Sequence, residues 1–207
     1  MKFGVLAFIS ETSARPDAVA RKCEDLGYES FWLPEHAIIP VTHKTPYPGG
    51  GDGKIPEPYS HIIDPFVGLG IASAVTSKIM LGTGICLVPE RDPIVCAKEV
   101  ATVDHFSGGR FLFGIGAGWL RDETEIMGVD FKKRWPMTRD YIRAMKELWT
   151  KPEPSYEANS SSSRRCEATR SPRRSHIRQS SSAREASAAA TIARLPIPSR
   201  SPTDGLP

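Results

Sequence analysis

Residues 79–119 read IMLGTGICLVPERDPIVCAKEVATVDHFSGGRFLFGIGAGW, and this stretch contains one strand–helix–strand unit. The apolar run Ile79–Leu87 predicts a strand, and Asp92 followed by a proline predicts the start of a helix. Ser107-Gly108-Gly109 ends that helix, and the run Arg110–Ile115 predicts the next strand. Strands joined by a helix of this length pair in parallel through a right-handed crossover.

The same alternation extends over residues 1–157. Further strands are predicted at Lys2–Phe8 and Ser30–Leu33, and further helices at Pro16–Leu26, Pro65–Val75 and Pro136–Thr150. The strands are apolar nearly throughout, as parallel strands covered by helices should be. The helix that begins at Pro65 is expected to bury Val67, Ile71 and Ala74. Four strand–helix units of this kind fit both a doubly wound sheet and a (β/α)8 barrel.

The last fifty residues differ sharply from the rest of the chain. Residues 158–207 contain nine Arg, no Lys and three acids, which gives +6, so residues 1–157 carry 3 − 6 = −3. Every aromatic side chain lies at or before Tyr156. A segment of this composition cannot bury enough apolar surface to fold, so residues 158–207 are predicted to be a disordered Arg/Ser/Ala-rich tail.

Three interpretations of this tail remain open. An Arg-rich arm could neutralise nucleic-acid phosphates, and a solvated linker would explain the low hydrophobicity. A translated wrong reading frame is the interpretation we favour, because the composition changes suddenly in the middle of an α/β pattern. We therefore expect no specific nucleic-acid partner.

Composition excludes several other classes of protein. The longest nearly uncharged apolar stretch, Phe66–Val75, is about half the roughly 20 residues that a spanning helix needs, so no membrane partner is expected. The apolar run Phe3–Ile9 is too short for a secretion signal, which favours the cytoplasm. The scattered cysteines fit neither a disulfide framework nor a zinc site, and no metal site is predicted. They are Cys23, Cys86, Cys96 and Cys166.

A glycine-rich segment follows the last predicted strand. Gly114-Ile115-Gly116-Ala117-Gly118 resembles the start of a dinucleotide fingerprint, but Trp119 stands where the spacing requires a third glycine. The Rossmann interpretation therefore fails. Glycines at the carboxyl end of a strand still allow a flat ligand or a phosphate to approach the backbone closely.

Four motifs in this order resemble those of the luciferase-like oxidoreductases. They are residues 27–36 (GYESFWLPEH), residues 81–85 (LGTGI), residues 98–110 (KEVATVDHFSGGR) and residues 114–119 (GIGAGW). The chain is most similar to the subgroup that uses the deazaflavin coenzyme F420. The resemblance covers residues 1–157 and implies the N-terminal half of a (β/α)8 TIM barrel.

The resemblance also implies a set of site residues at the carboxyl ends of the strands, where barrel enzymes carry their active sites. His36 is the expected catalytic residue, with Glu35 beside it. A non-prolyl cis peptide is expected between Gly84 and Ile85, and Ser107–Arg110 is expected to be structural. The expected cofactor-binding residues are Gly84, Ile85, Gly116, Ala117, Gly118 and Trp119.

The implied function is hydride transfer or monooxygenation of a small organic substrate by a reduced deazaflavin, with FMN as the alternative cofactor. A full barrel needs about 250 residues, so we expect the activity of this chain to be impaired by truncation. A non-catalytic remnant, or a half-barrel subunit that pairs with another half, is the alternative function. The open edges of a half barrel make a homodimer possible.

Overall fold

The computed structural model of the protein describes residues 1–156 and two short segments, Cys166–Glu167 and Thr191–Arg194. The strands are β1 (Gly4–Leu6), β2 (Ser30–Leu33), β3 (Met80–Thr83), β4 (Cys86–Leu87), β5 (Phe111–Gly116), β6 (Ser155–Tyr156), β7 (Cys166–Glu167) and β8 (Thr191–Arg194). The helices are α1 (Pro16–Asp25), α2 (Pro65–Val75), α3 (Pro93–Phe106), α4 (Arg121–Ile126) and α5 (Arg134–Thr150). Within the described residues, no helix is both long and apolar enough to cross a bilayer.

The strands β1 to β5 form the parallel part of the central sheet, and they follow one another in chain order when β3 and β4 are taken as one strand. β1 pairs with β2, β2 with β3, and β3 with β5, so that Val5, Phe31, Leu81 and Phe111 form one row across the sheet. Right-handed crossovers between strands in this order place every helix on the same side. A doubly wound sheet would instead reverse its strand order at a switch point. The topology is therefore that of a barrel wall.

The third predicted strand is interrupted. The run Ile79–Leu87 forms β3 and β4, and the Gly84–Ile85 peptide between them is cis, as expected. β3 pairs with the start of β5 and β4 with its end. The two segments are thus one strand of the wall with an irregular step in it.

The predicted tail lies almost wholly outside the described residues. Its described parts are β7, which pairs antiparallel with β6, and β8, which pairs antiparallel with β5. The domain boundary at residue 157, the disorder of residues 158–207 and their origin in a wrong reading frame stay predictions.

The hydrophobic core lies between the sheet and its helices. Phe31, Leu33, Leu81, Phe111 and Phe113 are fully buried on the helix side of the strands. The face expected for α2 was wrong: Val67 is 64% exposed, and the helix buries another set of residues, Phe66, Leu69, Ala72 and Ser73. The reason is that α2 is apolar on all sides, so its periodicity does not single out one face.

The opposite side of the sheet is lined by glycines that make room for Trp32. A Cβ atom on Gly82 would overlap the Trp32 indole, and one on Gly114 would overlap the Thr83 carbonyl oxygen. The Trp32 indole nitrogen donates to Ser30 Oγ at 2.8 Å. These glycines therefore allow one large side chain to fill the inner layer of the barrel wall.

The turn between α3 and β5 is structural, as expected. Gly108 and Gly109 have φ of 66° and 81°, which favours glycine. The buried Arg110 guanidinium donates to the carbonyl oxygens of Ser107, Ser73, Thr76 and Ile79 and to Thr76 Oγ1. One cation thus binds the carboxyl end of α2 and the end of α3 to the same strand.

Gly114→Ala tests whether the strands need this close approach. The added methyl group meets backbone rather than a movable side chain, so we expect unfolding free energy to fall by about 1–3 kcal/mol. Gly70→Ala is the matched control, because a Cβ there meets nothing within 4 Å and lies in the interior of α2. The unfolding free energy of the control should rise by about 0.5–1 kcal/mol. Equal stability of the two variants in urea unfolding would contradict the packing described.

Candidate active site

His36 lies just beyond the carboxyl end of β2 and forms a buried pair with Glu123. His36 Nδ1 is 2.6 Å from Glu123 Oε2, and the two side chains are only 6% and 1% exposed. Glu123 Oε1 accepts the Ile38 backbone N–H at 3.2 Å. An ionised carboxylate accepts at both oxygens. With the carboxylate as acceptor, the hydrogen of the pair lies on Nδ1, which leaves Nε2 as the second ring nitrogen.

No sequence pattern pointed to Glu123. It lies in α4, a helix of six residues that was not predicted, whereas α5 begins near its expected start. A helix of six residues spans less than two turns, so its sequence is too short to show the apolar periodicity that predicts a helix. The local sequence offers only a group of acids at residues 122, 123 and 125, which begins three positions after Trp119.

Aromatic rings from distant parts of the chain surround His36. Its ring lies 5.7 Å from Trp119, which follows β5, and 5.5 Å from Tyr59, in the long loop after β2. Tyr47 packs against Trp119, and its hydroxyl is 2.8 Å from that of Tyr59. Phe8 packs on Tyr59 from the end of β1. Burial, with the Tyr47 hydrogen bond, raises the pKa of Tyr59 to about 12, so this phenol stays neutral.

The long loop after β2 is tied to α4 by a second carboxylate. Asp122 accepts hydrogen bonds from the Thr45 hydroxyl and from the backbone N–H groups of Thr45 and Lys44. The Thr45 hydroxyl and the Lys44 N–H lower the pKa of Asp122 to about 2. Adjacent residues of α4 therefore fasten the loop and hold the histidine at the same time.

Glu35 was expected beside His36 in the catalytic group. It is buried, and its carboxylate contacts β4 and the segment that follows β4. One oxygen accepts the Leu87 N–H at 2.6 Å and the other accepts from Arg91 Nε. Arg91 also pairs with Asp64 and Glu99. These contacts fix the strand end that carries His36, while a catalytic role for Glu35 stays a prediction.

Arg91 and Asp92 have structural roles in the segment between β4 and α3. Arg91 links three acids, and Asp92 caps α3 by accepting from two backbone N–H groups. His43 Nδ1 contacts the Thr45 carbonyl oxygen, and the exposed His61 pairs with Glu11. These contacts occupy the Nδ1 atom of each of the two histidines.

A third buried carboxylate, Glu90, lies behind the glycine turn after β5. Glu90 Oε1 is 2.8 Å from Thr124 Oγ1, and Glu90 Oε2 is buried without a hydrogen-bond partner among the described residues. Gly118 has φ of 82°, and a Cβ there would lie 3.1 Å from Glu90 Oε1. Burial raises the pKa of Glu90 to about 8, and the Glu123 charge adds to the effect. No motif in the sequence singled out this residue.

The expected cofactor-binding residues form two groups. Gly84 and Ile85 make the step between β3 and β4, and the Ile85 side chain occupies the space that a Cβ on Gly116 would need. Ala117 is buried, whereas Gly118 and Trp119 are half-buried. The structure brings Trp119 to His36 and Gly116 to Ile85. Their role in binding a cofactor stays a prediction.

The chain is similar to proteins of one family along most of its length. A model described as luciferase-like monooxygenase matches residues 1–199. An uncharacterized protein of Mycobacterium tuberculosis is 44% identical over 158 residues, which are 76% of this chain and 56% of that protein. An F420-dependent glucose-6-phosphate dehydrogenase of Amycolatopsis mediterranei is 29% identical over 63% of this chain and 36% of its own length.

A solved structure has the same fold. It is the oxygenating constituent of 3,6-diketocamphane monooxygenase from Pseudomonas putida in complex with FMN, with a TM-score of 0.61 and 19% identity. The match covers 77% of this chain and 42% of that chain. The chain spans about half the length of the curated mycobacterial relative that it matches. The expected α/β fold with a parallel barrel-type sheet is confirmed.

Asp122→Asn tests the attachment of the long loop to α4. Loss of the carboxylate should speed hydrogen exchange at the Lys44 and Thr45 amides. Glu125→Gln in the same helix is the control, because the Glu125 carboxylate is exposed and pairs with Arg121 at the surface. Since folding lowers the pKa of Asp122, its contribution is present above the ordinary value of 3.8 and is lost as pH falls through about 2. Unchanged exchange in Asp122→Asn would show that other contacts hold the loop.

Proposed function

Because the chain belongs to the luciferase-like monooxygenase family, we propose that its His36–Glu123 pair serves an oxidoreductase active site. The proposed reaction is hydride transfer or monooxygenation of a small organic substrate with a reduced deazaflavin, coenzyme F420, or with FMN. The observation that carries the proposal is a buried histidine–carboxylate pair at the carboxyl end of a barrel strand, bordered by Trp119 and Tyr59.

The residues present suit the flat ring of such a cofactor. Ile85, Gly118 and Trp119 offer a half-buried surface at the ends of two adjacent strands, and the half-buried Gly84 adds backbone without a side chain. One relative is named as F420-dependent, and one structure of the same fold is a complex with FMN. We favour F420, and FMN is the alternative.

When bound, the cofactor would supply the hydride or the oxygen chemistry. The protein's own residues have three tasks. Glu123 holds the Nδ1–H of His36, so that Nε2 is oriented to take up or release a proton on the substrate or the ring. Trp119, Tyr47 and Tyr59 exclude water from that imidazole. Asp122 keeps the loop that carries both tyrosines against the site.

A specific observation favours the second candidate function, a half-barrel subunit without catalysis of its own. On the inner side of β1, Leu6 is 51% exposed, and Phe8 just beyond it is 38% exposed. Side chains in these positions fill the interior of a closed barrel. A partner half would cover them, and the site would then be completed by that partner.

His36→Asn tests the catalytic role in a complete barrel made by joining residues 1–157 to the C-terminal part of the mycobacterial relative. Asparagine keeps a hydrogen bond to Glu123 but cannot titrate, so turnover should fall about 10²–10⁴-fold with little loss of cofactor affinity. His61→Asn, at an exposed pair with Glu11, should leave turnover intact. If the His36 variant had the same turnover as the unsubstituted barrel across neutral pH, His36 would have a packing role only.

The 207-residue chain by itself should not retain a cofactor. TIM barrels frequently hold a phosphate group with the loops after strands seven and eight and a helix N-terminus. Losing several charge-assisted hydrogen bonds, at about 1.5–3 kcal/mol each, lowers affinity by orders of magnitude. We expect titration of F420 or FMN to leave the intrinsic Trp fluorescence unsaturated at micromolar concentration. Saturable micromolar binding would show that the first four strands suffice.

A further inference from the structure

The hydrogen bonds of Thr124 constrain the protonation of Glu90. Thr124 Oγ1 lies 2.8 Å from Glu90 Oε1 and 3.0 Å from the Leu120 carbonyl oxygen. A hydroxyl has one hydrogen, and a carbonyl oxygen only accepts. If Glu90 were ionised, two acceptors would compete for that single hydrogen. A protonated Glu90 satisfies both contacts, because it donates to Thr124 while Thr124 donates to Leu120.

The second oxygen of Glu90 leads to the same conclusion. Oε2 is buried and has no hydrogen-bond partner in the part of the chain that the structure describes. An oxygen without a hydrogen-bond partner destabilises the folded state far less on a neutral acid than on a carboxylate, because the charge of the carboxylate would be left unsolvated. The unpartnered atom therefore belongs to an uncharged group.

The charges around Glu90 also disfavour its ionisation. Glu123 from α4 and Glu35 from the end of β2 are the carboxylates that act on it. The neighbouring Arg91 is directed to Glu35, Asp64 and Glu99. α5 packs on the turn that carries Glu90, and its Arg134 is bound to the Gly118 carbonyl oxygen and lies over Phe131. The adjacent cations are thus directed elsewhere.

We propose that Glu90 is a positioning residue held as a neutral carboxylic acid at physiological pH, which donates to Thr124 and leaves Glu123 as the one charged carboxylate on His36. Thr124 follows Glu123 in α4, so the bond from Glu90 fixes the helical turn that presents Glu123. The consequence for His36 chemistry rests on the proposed function, whereas the protonation of Glu90 does not.

Infrared spectroscopy of the full 207-residue protein tests the proposal without a cofactor. At pH 6.5 exposed carboxyl groups are ionised, and the wild type should show the carbonyl stretch of a protonated acid. Glu90→Gln should remove that band, and Glu125→Gln, in the same helix as Glu123 but exposed, should keep it. The band should titrate away near pH 8. Glu123→Gln should move that midpoint to lower pH, because one opposing charge is gone.

Thermal unfolding of the same proteins against pH supplies the second measurement. Folding raises the pKa of Glu90 from 4.5 to about 8, so the folded state holds a proton that the unfolded state has lost. The contribution of Glu90 to the free energy of unfolding is fully present below pH 4.5 and decreases as pH rises to about 8. The Tm of Glu90→Gln should therefore rise relative to the Tm of the wild type as pH increases from 4.5 to about 8. The Tm of Glu125→Gln should not.

Three results would overturn the proposal. They are a wild type without a protonated-acid band at pH 6.5, a band that survives in a folded Glu90→Gln protein, and a midpoint that Glu123→Gln leaves unchanged. The Glu123→Gln measurement decides the matter if Glu90→Gln does not fold. None of these results bears on cofactor binding or turnover in the complete barrel, so failure here and failure of the proposed function are separate outcomes.

Discussion

The site depends on how three buried carboxylates at one end of the sheet are satisfied. Glu35, Glu90 and Glu123 are all buried, and a buried carboxylate without a partner destabilises the folded state. Each of these side chains has a different kind of partner. Glu35 is paired with Arg91, Glu123 with His36 and a backbone N–H, and Glu90 with a hydroxyl. The histidine is therefore one of the two hydrogen-bond partners that satisfy the buried Glu123 carboxyl group.

The same end of the sheet must also admit bulky rings, and the glycines make this possible. Side chains at Gly82, Gly114 and Gly116 would collide with Trp32, Thr83 and Ile85. Without those side chains the inner layer accepts Trp32, and the strand ends approach one another closely. The wall of the barrel at this end thus depends on one constraint, which is close packing of backbone against large side chains.

The strand–helix units could be predicted because each carries its own local signal, such as the prolines that open α2 and α3 and the glycines before β5. His36 and Trp119 could be placed at the site because both follow strands. Glu90 and Glu123 could not, since their partners are Thr124 and His36, and the second lies 87 positions away along the chain. Periodicity also failed at α2, where an all-apolar helix conceals which side is buried.

The central claim is that Glu123 holds the Nδ1–H of His36 and leaves Nε2 for chemistry. Nitrogen-15 NMR of the His36 ring in the full chain at neutral pH measures this directly, because the two ring nitrogens have different shifts with and without hydrogen. We expect hydrogen on Nδ1, and loss of that preference in Glu123→Gln. A ring whose only hydrogen is on Nε2 in the wild type would contradict the claim.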